Sequence, residues 1–138
     1  MIKPITIYGN PVLRKECVSI EKTYPGIREV IETMWQTLRN TGGCGLAAPQ
    51  VNLPIKLFVV NSRDSYAYMS ARERECFFAK DDCGIEETFI NAEITAYSDE
   101  VWTTGEGCLS IPDLYEEVTR PWSITIKYQD KEFNEQVK

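Results

Sequence analysis

The feature that most limits how this chain can fold is the spacing of apolar residues in one early segment. These residues recur at steps of three and four, so they share one face of a helix: Ile27, Val30, Ile31, Met34, Trp35 and Leu38. Thr23 is a candidate N-cap, and Gly42 with Gly43 provides a natural stop. The pattern predicts an amphipathic helix over about residues 25–41, packed against a sheet.

Strand patterns lie on both sides of this helix. Ile5–Tyr8 is typical of a short strand or an extended arm. Further strands are predicted over Ile55–Asn61, about 88–97, about 100–104 and Trp122–Gln129. The last of these alternates apolar and polar residues, which indicates one buried face, and we expect Leu114–Thr119 to pair with it across Arg120–Pro121. One helix followed by mainly antiparallel strands predicts an α+β fold.

Residues from about 62 to 86 show no clear period. Charged side chains surround a small aromatic cluster there, and we expect a loop. Cys76 and Cys83, both in this segment, are too far apart and too isolated to suggest a metal-binding knuckle. The chain has five scattered cysteines, an odd number with no CxxC pair, which favours free thiols in a reducing cytoplasm over a disulfide framework.

Composition excludes several classes of protein. The chain contains no histidine, so by itself it cannot form a Ser-His-Asp triad, a Cys-His dyad or a histidine-ligated metal site. Its 15 basic and 21 acidic residues give a net charge of −6, which argues against a nucleic-acid-binding protein. Its 138 residues suit one domain over 1–138, with no apolar run long enough to cross a membrane and no signal-peptide core.

Two segments have residue patterns that packing alone does not require. In the first, Gly43 and Gly45 bracket Cys44, and Gln50 follows. Glycines on both sides of one residue allow another backbone to come close, as at a peptide-binding edge or a turn. The Gln50 amide can donate a hydrogen bond to a developing oxyanion. The alternative, from spacing alone, is a helix C-cap followed by a turn.

The second segment runs from Glu106 to Pro112 and contains Cys108 beside a glycine. As a nucleophile, the Cys108 thiol has no histidine to act as its base. As a lone metal ligand it is weak, because catalytic zinc sites use three protein ligands. Taken in isolation, the pattern favours a small buried hydrophobic residue at Cys108.

Taken together, the two segments resemble the peptide deformylase family. Gly43–Gln50 matches the family's G-x-G-[LIM]-A-A-x-Q motif, and Glu106–Ser110 matches its E-G-C-L-S motif. Asn10–Arg14 is similar to the family's (D/N)-P-V-L-R arm. The resemblance covers about residues 5–130, with the motifs in the family's order.

The resemblance implies a metal-dependent hydrolase that removes the formyl group from the N-terminal methionine of nascent proteins. It implies that Cys108 is one ligand of a divalent metal (iron, nickel or zinc), and that Gln50 and the backbone N–H of Leu109 are catalytic groups that hold the formyl oxygen. It assigns two further roles: Gly43, Cys44 and Gly45 line the substrate-binding edge to which a formyl-Met peptide adds as a strand, and Glu106 forms a structural ion pair with Arg120.

The family's third motif, H-E-x-x-H, does not occur in this sequence. In the family it lies on a central C-terminal helix and supplies both histidine ligands and the catalytic glutamate. We therefore expect a truncated peptide deformylase-like fold, with antiparallel sheets and one N-terminal amphipathic helix, that is inactive and binds no metal on its own.

Loss of that helix is expected to expose an apolar groove, and we expect self-association through it. Two alternative functions stay open. The chain is either a non-catalytic peptide- or protein-binding module, or a fragment of an active deformylase that another polypeptide completes.

Overall fold

The structure, a computed structural model, describes all residues from 1 to 138. Its helices are α1 (Ile27–Thr41), α2 (Arg63–Tyr68) and α3 (Ala71–Phe77), with 3-10 turns at Pro11–Arg14 and Ala48–Val51. Its strands are β1 (Gly45–Ala47), β2 (Leu57–Asn61), β3 (Glu86–Tyr97), β4 (Val101–Cys108), β5 (Ile111–Pro121), β6 (Ile124–Gln129) and β7 (Glu135–Val137). All strand pairs are antiparallel, which confirms the α+β class. None of the helices is long and apolar enough to span a membrane.

Helix α1 confirms the predicted amphipathic helix but begins at a different cap. Gly26, not Thr23, is the N-cap, because a turn around Tyr24–Gly26 separates Thr23 from the first helical residue. The predicted stop is confirmed at Gly42, whose φ of 72° lies in the left-handed region. Glycine adopts that conformation without the steric penalty that a Cβ carries.

The apolar face of α1 packs on one face of the larger sheet. The buried residues of this core include Ile31, Met34 and Leu38 from the helix and Leu46, Leu57, Val59 and Ile90 from the strands. Trp35 lies at the rim and donates from Nε1 to the Thr88 hydroxyl at 3.0 Å. This hydrogen bond ties α1 to β3 and satisfies the indole N–H at the edge of the core.

The larger sheet has the strand order β1-β2-β3-β6-β7, so β1 lies at one edge, and β4 with β5 forms a separate two-stranded sheet. The predicted pairing of Leu114–Thr119 with the last long strand is wrong. Thr119 lies opposite Thr103 of β4, and β6 pairs with β3 and β7 instead. Both edges of β6 are occupied by β3 and β7, so β5 pairs with β4 instead, across a tight turn after Cys108.

The predicted buried face of the last long strand is only partly present. Tyr128 is buried, but Trp122 and Ile124 are 47% and 45% exposed. Trp122 precedes β6 and packs edge to face against Trp102 of β4, with ring centroids 5.3 Å apart. The alternation of apolar and polar residues therefore identifies the strand, while the exposure of its first residues depends on what packs against them.

The segment predicted to be a loop contains α2 and α3. Ser70 and Glu73 form a capping box at the start of α3, in which each side chain accepts the other residue's backbone N–H. Arg74 ties α3 to α2, because its Nε donates to the Tyr66 carbonyl at 2.8 Å and its guanidinium lies 4.3 Å from the Tyr66 ring centroid. The S-x-x-E spacing is the sequence signal for this helix start.

Candidate functional site

The structure brings the two motif segments together at the side chain of Gln50. Its Nε2 donates to the Ser110 hydroxyl at 3.2 Å and lies 3.8 Å from the Cys108 sulfur. Its Oε1 accepts the backbone N–H of Ala47 at 2.9 Å. Because a backbone N–H can only donate, this contact holds the amide with Nε2 towards Cys108.

Gly43 and Leu109, one from each motif, are also adjacent. A Cβ added to Gly43 would lie 3.2 Å from Leu109 Cδ1, so a larger residue at position 43 would press on that side chain. The contact brings the turn after β4 against the chain that leads into β1. The two motifs therefore form one site, which is surrounded by Gly43, Gln50, Cys108 and Leu109.

The N-terminal segment is hydrogen-bonded to both motifs. The backbone N–H of Thr6 donates to the Gln50 carbonyl, and that of Tyr8 donates to the Ser110 carbonyl, each at 2.7 Å. Of the two predicted forms of Ile5–Tyr8, the structure therefore shows the extended arm rather than a sheet strand. The arm helps to hold the two segments at a fixed separation.

Strand β1 leaves one side of its backbone unpaired by the sheet. Gly45 lies opposite Val60 of β2, and the Cys44 carbonyl accepts the Asn61 backbone N–H at 2.7 Å. Because hydrogen-bonding direction alternates along an antiparallel strand, Gly45 directs its N–H and C=O to the open edge. An extended peptide can add to the sheet there.

Glu106 and Arg120 form the predicted ion pair on the two-stranded sheet. Arg120 donates through both Nε and Nη2 to the two carboxylate oxygens, with 2.6 Å between Nη2 and Oε1. The hydrogen bonds from Arg120 lower the pKa of Glu106, and the same contact raises the pKa of Arg120. The Arg120 and Glu106 side chains are 55% and 35% exposed, so water screens the pair and limits its contribution to stability.

Cys108 is exposed, which corrects the expectation of a small buried hydrophobic residue. The register of β4 shifts between Gly107 and Cys108, and this irregularity takes the residue out of the regular ladder. No group of three His, Cys, Asp or Glu side chains is placed to hold a metal ion. The chain's own donors at this site therefore do not fit a catalytic metal centre, which needs three protein ligands.

Ser110 is the site residue that the sequence analysis did not single out. It is 3% exposed, its hydroxyl accepts the hydrogen bond from Gln50, and its carbonyl accepts the one from Tyr8. Its place at the end of the second motif was the available signal. A serine carries no spacing pattern of its own, so its partners appear only in the folded chain.

Comparison with known proteins gives one consistent family. The family model described as polypeptide deformylase matches residues 2–138. A peptide deformylase of Flavobacterium psychrophilum is 46% identical over 134 residues, covering 97% of this chain and 68% of that protein. One from Flavobacterium johnsoniae is 44% identical over 133 residues, covering 96% of this chain and 66% of that protein. The chain thus spans about two thirds of the length of these curated relatives.

Solved structures show the same likeness in three dimensions. Peptide deformylase 1B of Arabidopsis thaliana, crystallised with an inhibitor, superimposes with a TM-score of 0.79 at 30% identity, covering 98% of this chain and 66% of that one. The peptide deformylase of Ehrlichia chaffeensis superimposes with a TM-score of 0.83 at 27% identity, covering 99% of this chain and 73% of that one.

Proposed function

Because this chain belongs to the polypeptide deformylase family, we propose that the place around Gln50 and Cys108 is the formyl-peptide site of a deformylase. The reaction of such an enzyme is hydrolysis of the N-formyl group from an N-terminal methionine. One observation carries the proposal: Gln50 Nε2 lies 3.8 Å from the Cys108 sulfur, although the two residues are 58 positions apart in the sequence. In this proposal Cys108 would contribute one ligand to a metal whose other ligands this chain does not supply, and the Gln50 amide and the Leu109 backbone N–H would hold the formyl oxygen.

The substrate-binding part of the proposal rests on the open edge of β1. Gly43, Cys44 and Gly45 line the strand to which the peptide adds, with its formyl end at Gln50. A strand added at an edge gains main-chain hydrogen bonds whatever its sequence, as a site for many nascent proteins requires. Leu109, packed beside Gly43, encloses the other side of this place.

We propose that the 138-residue chain has no deformylase activity on its own. The family implies a divalent metal cofactor, and iron, nickel or zinc is the metal proposed here. A complete set of protein ligands contributes about 10–16 kcal/mol to binding of a structural zinc ion, which one flexible thiolate cannot match. Without histidine, this chain supplies only Cys108 from the family's metal-binding set, and the family's catalytic glutamate has no counterpart.

The test is metal analysis of the purified chain combined with a deformylation assay on a formyl-Met peptide. We expect less than one equivalent of iron, nickel or zinc and no turnover. One equivalent of metal with turnover would disprove the inactivity while leaving the site assignment intact. If the chain is instead completed by another polypeptide, adding a segment that carries H-E-x-x-H together with the metal restores turnover.

The open edge of β1 favours a second candidate function, that of a peptide-binding module without catalytic activity. Under either function, Gly45→Pro is expected to weaken binding of a Met-starting peptide about two- to tenfold, because it removes one outward N–H. Gly45→Ala keeps that N–H and is the matched control. Equal affinity of G45P and G45A would argue against binding at this edge.

We also propose a cytoplasmic location, which the five free cysteines support because a reducing compartment keeps thiols unpaired. For this function the proposed partners are a formyl-Met peptide and a second copy of the chain.

A further inference from the structure

The two-stranded sheet leaves the outer edge of β5 without a partner strand. The sheet contains only β4 and β5, and none of the backbone hydrogen bonds outside the ladders involves β5. The Trp122 backbone N–H donates to the Glu100 carbonyl at 2.8 Å, which establishes which residues of β5 face β4. Because hydrogen-bonding direction alternates along an antiparallel strand, Tyr115, Glu117 and Thr119 direct their N–H and C=O away from β4.

A side-chain contact agrees with this direction. The Thr103 and Thr119 hydroxyls lie 2.8 Å apart across the two strands. Side chains come closest at a non-hydrogen-bonded pair, in which each residue points its backbone groups to the outside. Thr119 is exposed, and so are all residues from Pro112 to Glu117. The edge is therefore open to solvent over most of the length of β5.

The charge around this edge is strongly negative. Residues 99–121, called here the acidic ribbon, comprise β4, β5 and the turns that flank β4. They contain six acidic residues and one arginine, so the ribbon carries a net charge of −5 out of −6 for the whole chain. Its arginine, Arg120, is already paired with Glu106. The other carboxylates of the ribbon form no ion pair within the chain.

Two of these free carboxylates lie on opposite faces of β5. Glu116 is directly across from Glu106, and Glu117 is across from Gly105. Like charges directly opposite each other destabilise a sheet, and Arg120 compensates only the charge of Glu106. A strand added at the edge of β5 therefore meets an uncompensated negative charge on each of its two faces.

We propose that the open edge of β5 binds a lysine- or arginine-rich extended segment of another protein. The segment would pair with the outward N–H and C=O groups and place basic side chains beside Glu116 and Glu117. A strand rises about 3.3 Å per residue, so the outward groups from Tyr115 to Thr119 extend over about 13 Å, and a segment of about five or six residues covers them.

The charge of the ribbon also decides against other occupants. Pairing of two β5 edges from two copies would bring two ribbons of charge −5 together, and charged edges of this kind prevent pairing between like strands. The same charge repels nucleic acid. The inference does not rest on the formyl-peptide site, which uses the edge of β1.

The experiment measures binding of fluorescent octapeptides that are acetylated at the N-terminus and do not begin with methionine. One carries adjacent lysines flanked by valine and threonine, and its control carries glutamates in their place. We expect only the lysine peptide to bind, with an affinity that falls at high salt. Glu117→Lys is expected to weaken binding about three- to tenfold. Glu16→Lys, the same charge change at an exposed position outside the ribbon, is the matched control and should leave the affinity within about twofold.

A third peptide separates strand pairing from attraction by charge alone. A lysine peptide with N-methylated backbone amides keeps its charge but cannot pair as a strand, and we expect it not to bind. In the presence of the unmodified lysine peptide, amide hydrogen exchange of Tyr115, Glu117 and Thr119 is expected to slow.

No binding of the lysine peptide, equal binding of the lysine and glutamate peptides, or equal effects of E117K and E16K would each overturn the inference. Unchanged binding of the N-methylated peptide would overturn it as well, since it would show attraction by charge without strand pairing. Loss of binding in G45P but not in E117K would assign the lysine peptide to the edge of β1 instead. Self-association that E117K alone disrupts would show a second copy at the edge of β5 and would also contradict the inference.

Discussion

At the scale of single residues, the orientation of Gln50 is the detail on which the site depends most. A glutamine amide can be turned either way, and only one orientation presents a donor to an oxyanion. The backbone N–H of Ala47 occupies Oε1, and Ser110 accepts from Nε2, so both ends of the amide have partners that specify the orientation. Gln50 is thus preorganised before any ligand binds.

A first prediction at this scale concerns Arg120→Ala. We expect it to lower the free energy of unfolding by up to about 1 kcal/mol at neutral pH, because both partners are substantially exposed to water. Arg120 holds the pKa of Glu106 below its ordinary value of 4.5. The stability from this pair is therefore present above about pH 4.5 and disappears as pH falls through the lowered pKa.

Urea unfolding of R120A and the unmodified chain at neutral and acidic pH measures this difference. Lys127→Ala is the control, since Lys127 and Glu135 are 3.9 Å apart and both exposed, and its effect should be smaller. A stability equal to that of the unmodified chain at neutral pH would remove the structural role of the ion pair.

A second prediction concerns Tyr128 and the stability of the chain at alkaline pH. Burial raises the pKa of Tyr128 to about 12, helped by the hydrogen bond from its hydroxyl to Glu87 and by the nearby charges of Glu87 and Asp130. The neutral phenol is therefore favoured in the folded chain, so its contribution is full below pH 10 and is lost as pH rises towards 12.

Tyr128→Phe is expected to cost about 1 kcal/mol at neutral pH through the lost hydrogen bond and to weaken the alkaline loss of stability. The phenolate absorbance of the folded chain should show a late-titrating component from Tyr128, and Y128F should lack it. A late component that persists in Y128F would assign the raised pKa to another tyrosine.

At the scale of elements, the segment that carries α2 and α3 is closed at its base by contacts between its two ends. The Ser62 backbone N–H donates to the Ile85 carbonyl, and the Ile85 backbone N–H donates to the Ser62 hydroxyl, each at 2.8 Å. Gly84 packs into this closure with a φ of 86°. A Cβ there would lie 2.6 Å from the Ser62 carbonyl oxygen.

Gly84→Ala is therefore predicted to destabilise the chain by about 1–3 kcal/mol, because both the backbone angle and the space require glycine. Limited proteolysis should cut between α2 and β3 faster in G84A than in the unmodified chain. Gly105→Ala is the control, since a Cβ on Gly105 meets nothing within 4 Å. Equal effects of the two substitutions would argue against this closure.

At the scale of the whole molecule, much apolar surface is open to solvent. A groove of about 970 Å³, called here the α1 groove, runs between α1, β3 and the turn after β6. Most of its lining is polar or charged, and its apolar members are Ile27, Ile31, Trp35 and Phe133. A second exposed set, which includes Val101 at 63% exposure, lies around β4 and the adjoining ends of β3 and β6. Apolar patches of this kind are frequent sites of association.

We predict concentration-dependent self-association through the α1 groove, measured by sedimentation and by binding of a dye that reports apolar surface. Ile27→Lys places a charge in the groove and should weaken association, whereas Val101→Lys, outside it, should leave association unchanged. A monomer at every concentration, with no dye binding, would contradict the prediction. Weakening by V101K alone would assign the interface to the two-stranded sheet.

The features that could be predicted from the sequence are those that depend on residues close together along the chain. Helix α1 and its stop at Gly42 follow from apolar spacing and one glycine, and the α+β class follows from that helix among strands. The two motifs identified the family, because each lies within a short run of residues whose chemistry is legible without coordinates.

Contacts between segments that are distant along the chain could not be predicted from the sequence. Strand register and turn geometry decide these contacts. They include the pairing of β5 with β4, the exposure of Cys108, the Gln50–Ser110 hydrogen bond, and the hydrogen bonds from Asn61 to Asp64 and Cys44. Register is set by the combined packing of all strands. A local sequence pattern predicts which face of the sheet a residue lies on, but it does not predict which residue lies opposite on the neighbouring strand. Long-range contacts therefore appear only once the chain is folded.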